Sequence, residues 1–240
     1  MPVSLKDKVA LVVGASSGIG RTCVTMLAAE GAKVMASARR EDRLRQLKNE
    51  LAGHTVEICA ADATRAADME RLAAETNRLL GRVNLMIYAT GTNTPDRSLK
   101  RLRPEIWDEL VSTNLDGAYY ITHAVLPAMR EARDGHLIYI SSISGHTPDA
   151  SGAAYQASKR GLIGLVHAIR MEERENGIRT TVVNPGLVDT ELLSKRPVKT
   201  PAEMIAQALL PEHVAEIVLA CAKLPPRAVV TELSVVPTTL

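Results

Sequence analysis

Phenylalanine is absent from the 240 residues and tryptophan occurs once, leaving aromatic side chains at 2%. Any core is therefore aliphatic, filled by Val, Ile, Leu, Ala and Met. Hydrophobic residues still reach 46% and charged residues 23%, ordinary globular values that exclude a disordered chain. Cysteine is scarce: Cys23, Cys59 and Cys221 are odd in number, far apart and without metal-ligand spacing. This excludes a disulfide framework and predicts reduced, buried thiols in a cytoplasmic protein. Neither charge sign dominates, since 29 basic and 27 acidic residues leave a net +2. With the arginines scattered, nucleic acid is excluded as a partner. Long apolar runs are missing too, and the start Met1-Pro2-Val3-Ser4 has no signal core, so no membrane partner is expected. The histidines show no ligating arrangement, and no metal is expected.

What is present is alternation. Short β-branched runs at Val9–Val13, Lys33–Ser37, Val56–Ala60, Leu85–Ala89, Leu137–Ser141, Thr180–Asn184 and Val229–Val235 predict seven strands. Between them, apolar residues recur at helical spacing, as in Leu44, Leu47 and Leu51, or Val214, Ile217, Val218 and Cys221. Strands alternating with helices predict right-handed crossovers and a doubly wound parallel sheet, helices on both faces, in a single α/β domain over 1–240. Such a sheet binds its ligand beyond the carboxyl ends of its strands, where strand order reverses. One long irregular stretch, Asp189–Pro211, is a candidate substrate loop or lid.

After the first predicted strand comes Gly14-Ala15-Ser16-Ser17-Gly18-Ile19-Gly20, then a helical pattern over Thr22–Glu30. Gly14 allows a tight turn, Gly18 lets backbone N–H groups approach a pyrophosphate, and Gly20 lets helix and sheet pack closely, with Ser16 and Ser17 as added donors. At the end of the second strand, the place where an acid would hold the ribose hydroxyls of NAD is taken by Ala38, followed by Arg39 and Arg40. Arg39 suits a 2′-phosphate, which predicts NADP (NADPH) as cofactor; the alternative is a solvated arginine pair at a helix start. Asp62, after the third strand, either holds the adenine edge or caps a helix.

Tyr155 and Lys159 lie four apart in Ala153-Ala154-Tyr155-Gln156-Ala157-Ser158-Lys159, on one face of a helix. A neighbouring ammonium favours tyrosinate and is expected to lower the phenol's pKa towards the range of a general acid/base. Ser142 ends the fifth predicted strand and faces the expected cofactor site, able to orient a substrate oxygen, with Ser141 and Ser144 structural beside it. Asn114 either bends its helix and anchors a proton-passing water for Lys159, or is a helix-surface amide.

Together these residues resemble the short-chain dehydrogenase/reductase family over nearly the whole chain: the glycine turn, Asp62, Asn114-Leu115-Asp116-Gly117, Ser142, Tyr155 to Lys159, and Asn184-Pro185-Gly186-Leu187-Val188-Asp189-Thr190. The resemblance implies a Rossmann-type sheet, homotetramers or homodimers built through helix pairs, and catalysis by Asn114, Ser142, Tyr155 and Lys159. It also implies cofactor contacts at Ala63, Ala89, Gly91, Pro185 and Gly186, with the Val188 backbone on the carboxamide and Thr190 on the carboxamide or phosphates. Two positions depart from the family. Val13 replaces a usual threonine, and Tyr88-Ala89-Thr90-Gly91 replaces Asn-Asn-Ala-Gly. Losing both polar partners orphans neither; what is put in question is the placing of the fourth strand and the pocket wall near Tyr88.

The expected reaction is interconversion of a ketone and a secondary alcohol on a small-molecule substrate. The C-terminal segments Leu210–Glu216 and Glu232–Pro237 are similar to a subgroup acting on 3-hydroxy acids such as serine. Lys195, Arg196 and Lys199 are candidates for meeting a carboxylate, and His146 and Leu187 for lining the pocket. Two rivals remain: a reductase of 3-oxoacyl thioesters, steroids or other bulky ketones, and a catalytically silent NADP-sensing protein.

Overall fold

The computed structural model describes residues 2–239. Strands β1 (Val9–Val13), β2 (Lys33–Ala38), β3 (Val56–Ala60), β4 (Leu85–Tyr88), β5 (Gly135–Ile140), β6 (Ile178–Pro185) and β7 (Glu232–Val235) form one sheet in the order β3-β2-β1-β4-β5-β6-β7. Every pairing is parallel. The expected Rossmann-type architecture is found, with boundaries shifted by a few residues. The largest shift is at the last strand, where 229–231 stay outside β7, a half-buried edge strand with a partner on one side only.

Alternation along β1 explains why its run is apolar throughout. Ala10 and Val12 face one core, with helices α1 (Gly18–Ala29), α2 (Glu41–Glu50) and α8 (Pro211–Ala222). Leu11 and Val13 face the other, with α3 (Ala66–Leu80), α5 (Gly117–Ala132) and α6 (Ala153–Glu173). A strand covered on both faces has no solvent side to leave a polar stripe. Helix ends follow local chemistry: α2 opens with Glu41 and Asp42 and closes with Lys48, complementing its dipole, while α4 (Pro104–Val111) starts at Pro104.

The expected purely aliphatic core is corrected in one respect: Tyr88 and Tyr139 are the largest fully buried side chains. Each phenol has a partner, the Tyr88 hydroxyl donating to the Thr113 carbonyl at 2.6 Å and the Tyr139 hydroxyl lying 2.6 Å from Thr122 Oγ1. The three thiols are free and buried, as expected. No helix among the described residues is long and apolar enough to cross a membrane.

Strand order reverses between β1 and β4, and their carboxyl ends open the cleft. The stretch expected to be irregular is more ordered than its composition suggests. A 3₁₀ turn covers Glu191–Lys195, α7 covers Ala202–Gln207, and a bridge joins Val188 to Leu209. Backbone bonds from Asp189 N to Leu209 O (2.8 Å) and from Leu209 N to Leu187 O (2.9 Å) close it into a loop.

Candidate active site

A cavity of about 550 Å³ runs along the carboxyl ends of the strands, within the usual size of a ligand cleft. The glycine turn forms one end. Gly14 N and Ala15 N donate to the Ser37 carbonyl at 2.8 and 2.9 Å, strapping the turn to β2. Gly20 lies beneath it rather than in the cavity: a Cβ there would stand 2.3 Å from the Gly14 carbonyl oxygen, so the helix approaches this closely only with glycine. Ser16, Ser17, Gly18 and Ile19 line the cavity, and α1 begins at Gly18, turning its free N–H groups towards it.

At the other end Ser142, Tyr155 and Lys159 line the same cavity, and all three are buried. Ser142 lies two residues beyond β5, and its hydroxyl is fixed by its neighbours. Its oxygen accepts from Ser144 N at 3.2 Å, its proton points to Ser144 Oγ at 3.2 Å, and Ser144 donates to Asp149 Oδ2 at 2.5 Å. The Ser141 hydroxyl instead donates to the Lys159 carbonyl. Lys159 Nζ donates to the Ile140 carbonyl at 3.0 Å and sits 5.8 Å from the Tyr155 ring centroid. Burial brings the Lys159 ammonium down to about 8.

The expected lowering of the Tyr155 pKa is corrected. Burial pushes the phenol up, and the Ser142 hydrogen bond and Arg97 guanidinium only partly offset it, while Asp149 adds to the rise. The geometry gives the reason: the ammonium directs its hydrogen bond to Ile140, not to the phenol.

Asn114 falls in a π-helical turn, Ser112–Asp116, between α4 and α5. It is fully buried rather than on a helix surface: its Oδ1 accepts from Thr92 N at 2.8 Å, and its Nδ2 donates to Thr92 O at 3.1 Å and Ser158 Oγ at 3.0 Å. Gly91 lies against both Lys159 Nζ and Asn114 Oδ1.

A family model described as short chain dehydrogenase matches residues 8–200. The chain belongs to the short-chain dehydrogenase family. An "uncharacterized oxidoreductase" of Staphylococcus aureus (strain MRSA252) is 32% identical over 233 residues, covering 97% of this chain and 98% of its own. A serine dehydrogenase, solved in its closed form complexed with NADP+, is 32% identical with a TM-score of 0.90, covering 97% of this chain and 96% of its own. A variant of actinorhodin polyketide ketoreductase with NADPH is 30% identical with a TM-score of 0.88, covering 99% and 98%.

Within this dehydrogenase, Ala63, Ala89, Gly91, Pro185, Gly186, Leu187, Val188 and Thr190 all line the cavity. Asp62 does too, but its Oδ1 accepts from Thr64 N (3.0 Å) and Thr64 Oγ1 (2.9 Å) in a tight turn; α3 begins only at Ala66, so it caps no helix. Arg39 lines the cavity exposed, without a hydrogen bond or ion pair among the described residues. Arg40 is the oriented member of the pair: Nε and Nη2 donate to Ser16 Oγ at 3.1 and 2.8 Å, and Nη2 to Ser17 Oγ at 2.8 Å.

His146 is not a pocket residue. The 3₁₀ turn Ile143–Gly145 carries it round to Glu232 at the start of β7, which also holds His167 at 3.0 Å and accepts from Asn184 Nδ2 at 2.8 Å. Lys195 and Arg196 line the cavity and Lys199 does not. Tyr88 forms no pocket wall; its ring runs from β4 to the π-turn, filling the space where a Cβ at Gly117 would stand 2.4 Å from its hydroxyl. Val13 and Tyr88 are register partners in the sheet, and the phenol finds its own acceptor in Thr113 O.

Sequence reasoning missed Arg97, Arg43 and Glu191. Arg97 donates to three carbonyls on three loops, Thr94 (3.1 Å), Ala150 (3.5 Å) and Lys195 (2.8 Å), and faces the catalytic end. Glu191 pairs with both Arg40 and Arg43, whose guanidinia hold its carboxyl down to about 2. No local pattern marks these residues, because the contacts of Arg97 with Ala150 and Lys195, and of Glu191 with Arg40 and Arg43, join segments distant in sequence.

Proposed function

We propose that this protein is an NADP(H)-dependent oxidoreductase interconverting a ketone and a secondary alcohol, acting on 3-hydroxy acids and their 3-oxo counterparts. One observation carries the reading: Ser142, Tyr155 and Lys159 share a cavity with a glycine turn at a helix N-terminus. The cavity fits the cofactor. A pyrophosphate suits the N–H groups at Gly18, and the cationic corner of Arg39 and Arg40 beside Ser16 and Ser17 suits a 2′-phosphate. When bound, NADPH supplies a hydride to the carbonyl carbon and NADP+ takes it back.

The chain's own groups handle the oxygen. Ser142, held by Ser144 N, is free to turn its proton from Ser144 Oγ to the substrate oxygen, orienting it and stabilising its developing charge. Tyr155 Oη gives that oxygen a proton in reduction and takes it in oxidation. Lys159 holds a positive charge beside Gly91, where a ribose would lie, and 5.8 Å from the Tyr155 ring centroid. Asn114 fixes the Thr92 backbone and Ser158, keeping the floor under Lys159 rigid.

The substrate reading rests on charge. Near Tyr155 the cavity carries Arg97, Lys195 and Arg196 against one acid, Asp149, whose oxygens already accept from Ser144 and Ser151. Arg97 is partly desolvated and repelled by Arg196, and both effects lower its pKa. A substrate carboxylate relieves that strain. We read the chain as one domain, 1–240, with 189–211 as the lid, forming a homotetramer or homodimer through helix pairs, a reading that the half-exposed Tyr119 on α5 and Met171 on α6 support. Buried free thiols suit a cytoplasmic setting.

A panel assay tests the function. NADPH absorbance is expected to fall with short 3-oxo acids and little with neutral ketones. Faster turnover of 3-oxoacyl thioesters would favour the bulky-ketone reading that the polyketide ketoreductase likeness supports. Tight NADPH binding without absorbance loss on any substrate would indicate a sensor. Arg39→Ala and Arg40→Ala are each expected to weaken NADPH about tenfold, the scale of a charge-assisted hydrogen bond, and to leave NADH unchanged. Unaltered discrimination in both variants would contradict NADP preference.

A further inference from the structure

The corner assigned to the 2′-phosphate contains an anion that the chain supplies itself. Glu191, first residue of the 3₁₀ turn Glu191–Lys195, places Oε2 2.8 Å from Arg40 Nη1 and pairs Oε1 with Arg43. The remaining donors of Arg40 are turned onto Ser16 and Ser17. One carboxylate is thus gripped by two guanidinia at the glycine turn, from a loop 151 residues away in sequence. Its neighbour Thr190 closes over Gly18, where a Cβ would stand 3.1 Å from Thr190 Cγ2, so the same stretch of lid spans both the phosphate turn and the catalytic end. Arg97 holds the far end of the turn by the Lys195 carbonyl.

We propose that Glu191 is a built-in competitor for the 2′-phosphate, so that an adenosine bearing this phosphate displaces it from Arg40 and Arg43 and frees the first turn of the lid. A phosphate monoester carries about −1.5 to −2 charge at pH 7 and three acceptor oxygens, against one charge and two oxygens for the carboxylate, so it wins the guanidinia. Both anions on the same pair would repel each other. An adenosine without the 2′-phosphate leaves the ion pairs in place. Glu191 therefore becomes a specificity-determining residue: it opposes phosphorylated cofactor binding and couples that binding to the lid, with no effect on the unphosphorylated cofactor. The ion pairs are half-exposed, which bounds the effect to a modest factor.

This inference rests on the NADP reading, and its test separates the two. Calorimetric titration of wild type and Glu191→Gln with 2′,5′-ADP and with 5′-AMP is the measurement. Glu191→Gln is expected to bind 2′,5′-ADP about fivefold more tightly and 5′-AMP within about twofold of wild type. In wild type, 2′,5′-ADP and not 5′-AMP is expected to speed tryptic cleavage after Lys195 and Lys199; in Glu191→Gln cleavage is already fast. Unchanged or weaker 2′,5′-ADP binding by Glu191→Gln, with wild type still preferring 2′,5′-ADP, would overturn the competitor role alone. Wild type binding the two ligands equally would overturn both readings.

Discussion

Tyr155→Phe is expected to lower kcat about a thousandfold while leaving the NADPH dissociation constant within about twofold, the usual range for removing a general acid being roughly 10² to 10⁴. The ring keeps its packing against the α4 side of the site, with Leu110 and Ala154, so only the hydroxyl is lost. Steady-state turnover and fluorescence titration separate the two quantities. The accompanying pH dependence has a definite sign. Burial raises the phenol's pKa, so Tyr155 holds its proton across the neutral range and ketone reduction proceeds there without alkali. Alcohol oxidation needs the phenolate, and its rate is expected to climb as pH rises towards that raised value. Near-normal kcat in the Tyr155→Phe variant would move the proton donor elsewhere.

Lys159→Met is expected to separate function from stability. Turnover falls by about two orders of magnitude, because the buried charge beside the phenol and Gly91 is gone. Stability moves the other way. Lys159 is 3% exposed, and its pKa is depressed from 10.5 to about 8, so the unfolded chain binds this proton more tightly than the folded one. The folded state is therefore free of this penalty only above the unfolded value and bears it in full below the folded one, so at pH 7 the charged lysine costs on the order of 3 kcal/mol. Removing it is expected to raise the melting temperature of the cofactor-free protein at pH 7 by several degrees. The gain shrinks towards pH 10. A lower melting temperature would mean that the Ile140 hydrogen bond outweighs the desolvation.

Much of the fold was legible because β1 and β4 are covered on both faces, so their runs are apolar throughout and stand out from the helices between them. β7 was less so: as an edge strand it needs only part of its run in register. The glycine turn and the Tyr155–Lys159 face were legible because local spacing alone brings their groups together. Other features depend on where loops meet. His146 follows Ser142 by four residues, yet a 3₁₀ turn sends it to Glu232. Arg97 reaches Lys195 across 98 residues and Arg40 reaches Glu191 across 151; no periodicity records such contacts. The Tyr155 pKa is not legible in the spacing, because adjacency on a helix points to a charge effect whereas burial dominates.

The central claim is that a serine hydroxyl and a phenol meet one substrate oxygen beside a nicotinamide. A crystal structure with NADP+ and a 3-hydroxy acid tests it most directly. The account predicts the substrate oxygen within about 3 Å of both Ser142 Oγ and Tyr155 Oη, with the glycine turn on the pyrophosphate. A nicotinamide lying away from these side chains, or a substrate oxygen held by neither, would contradict it.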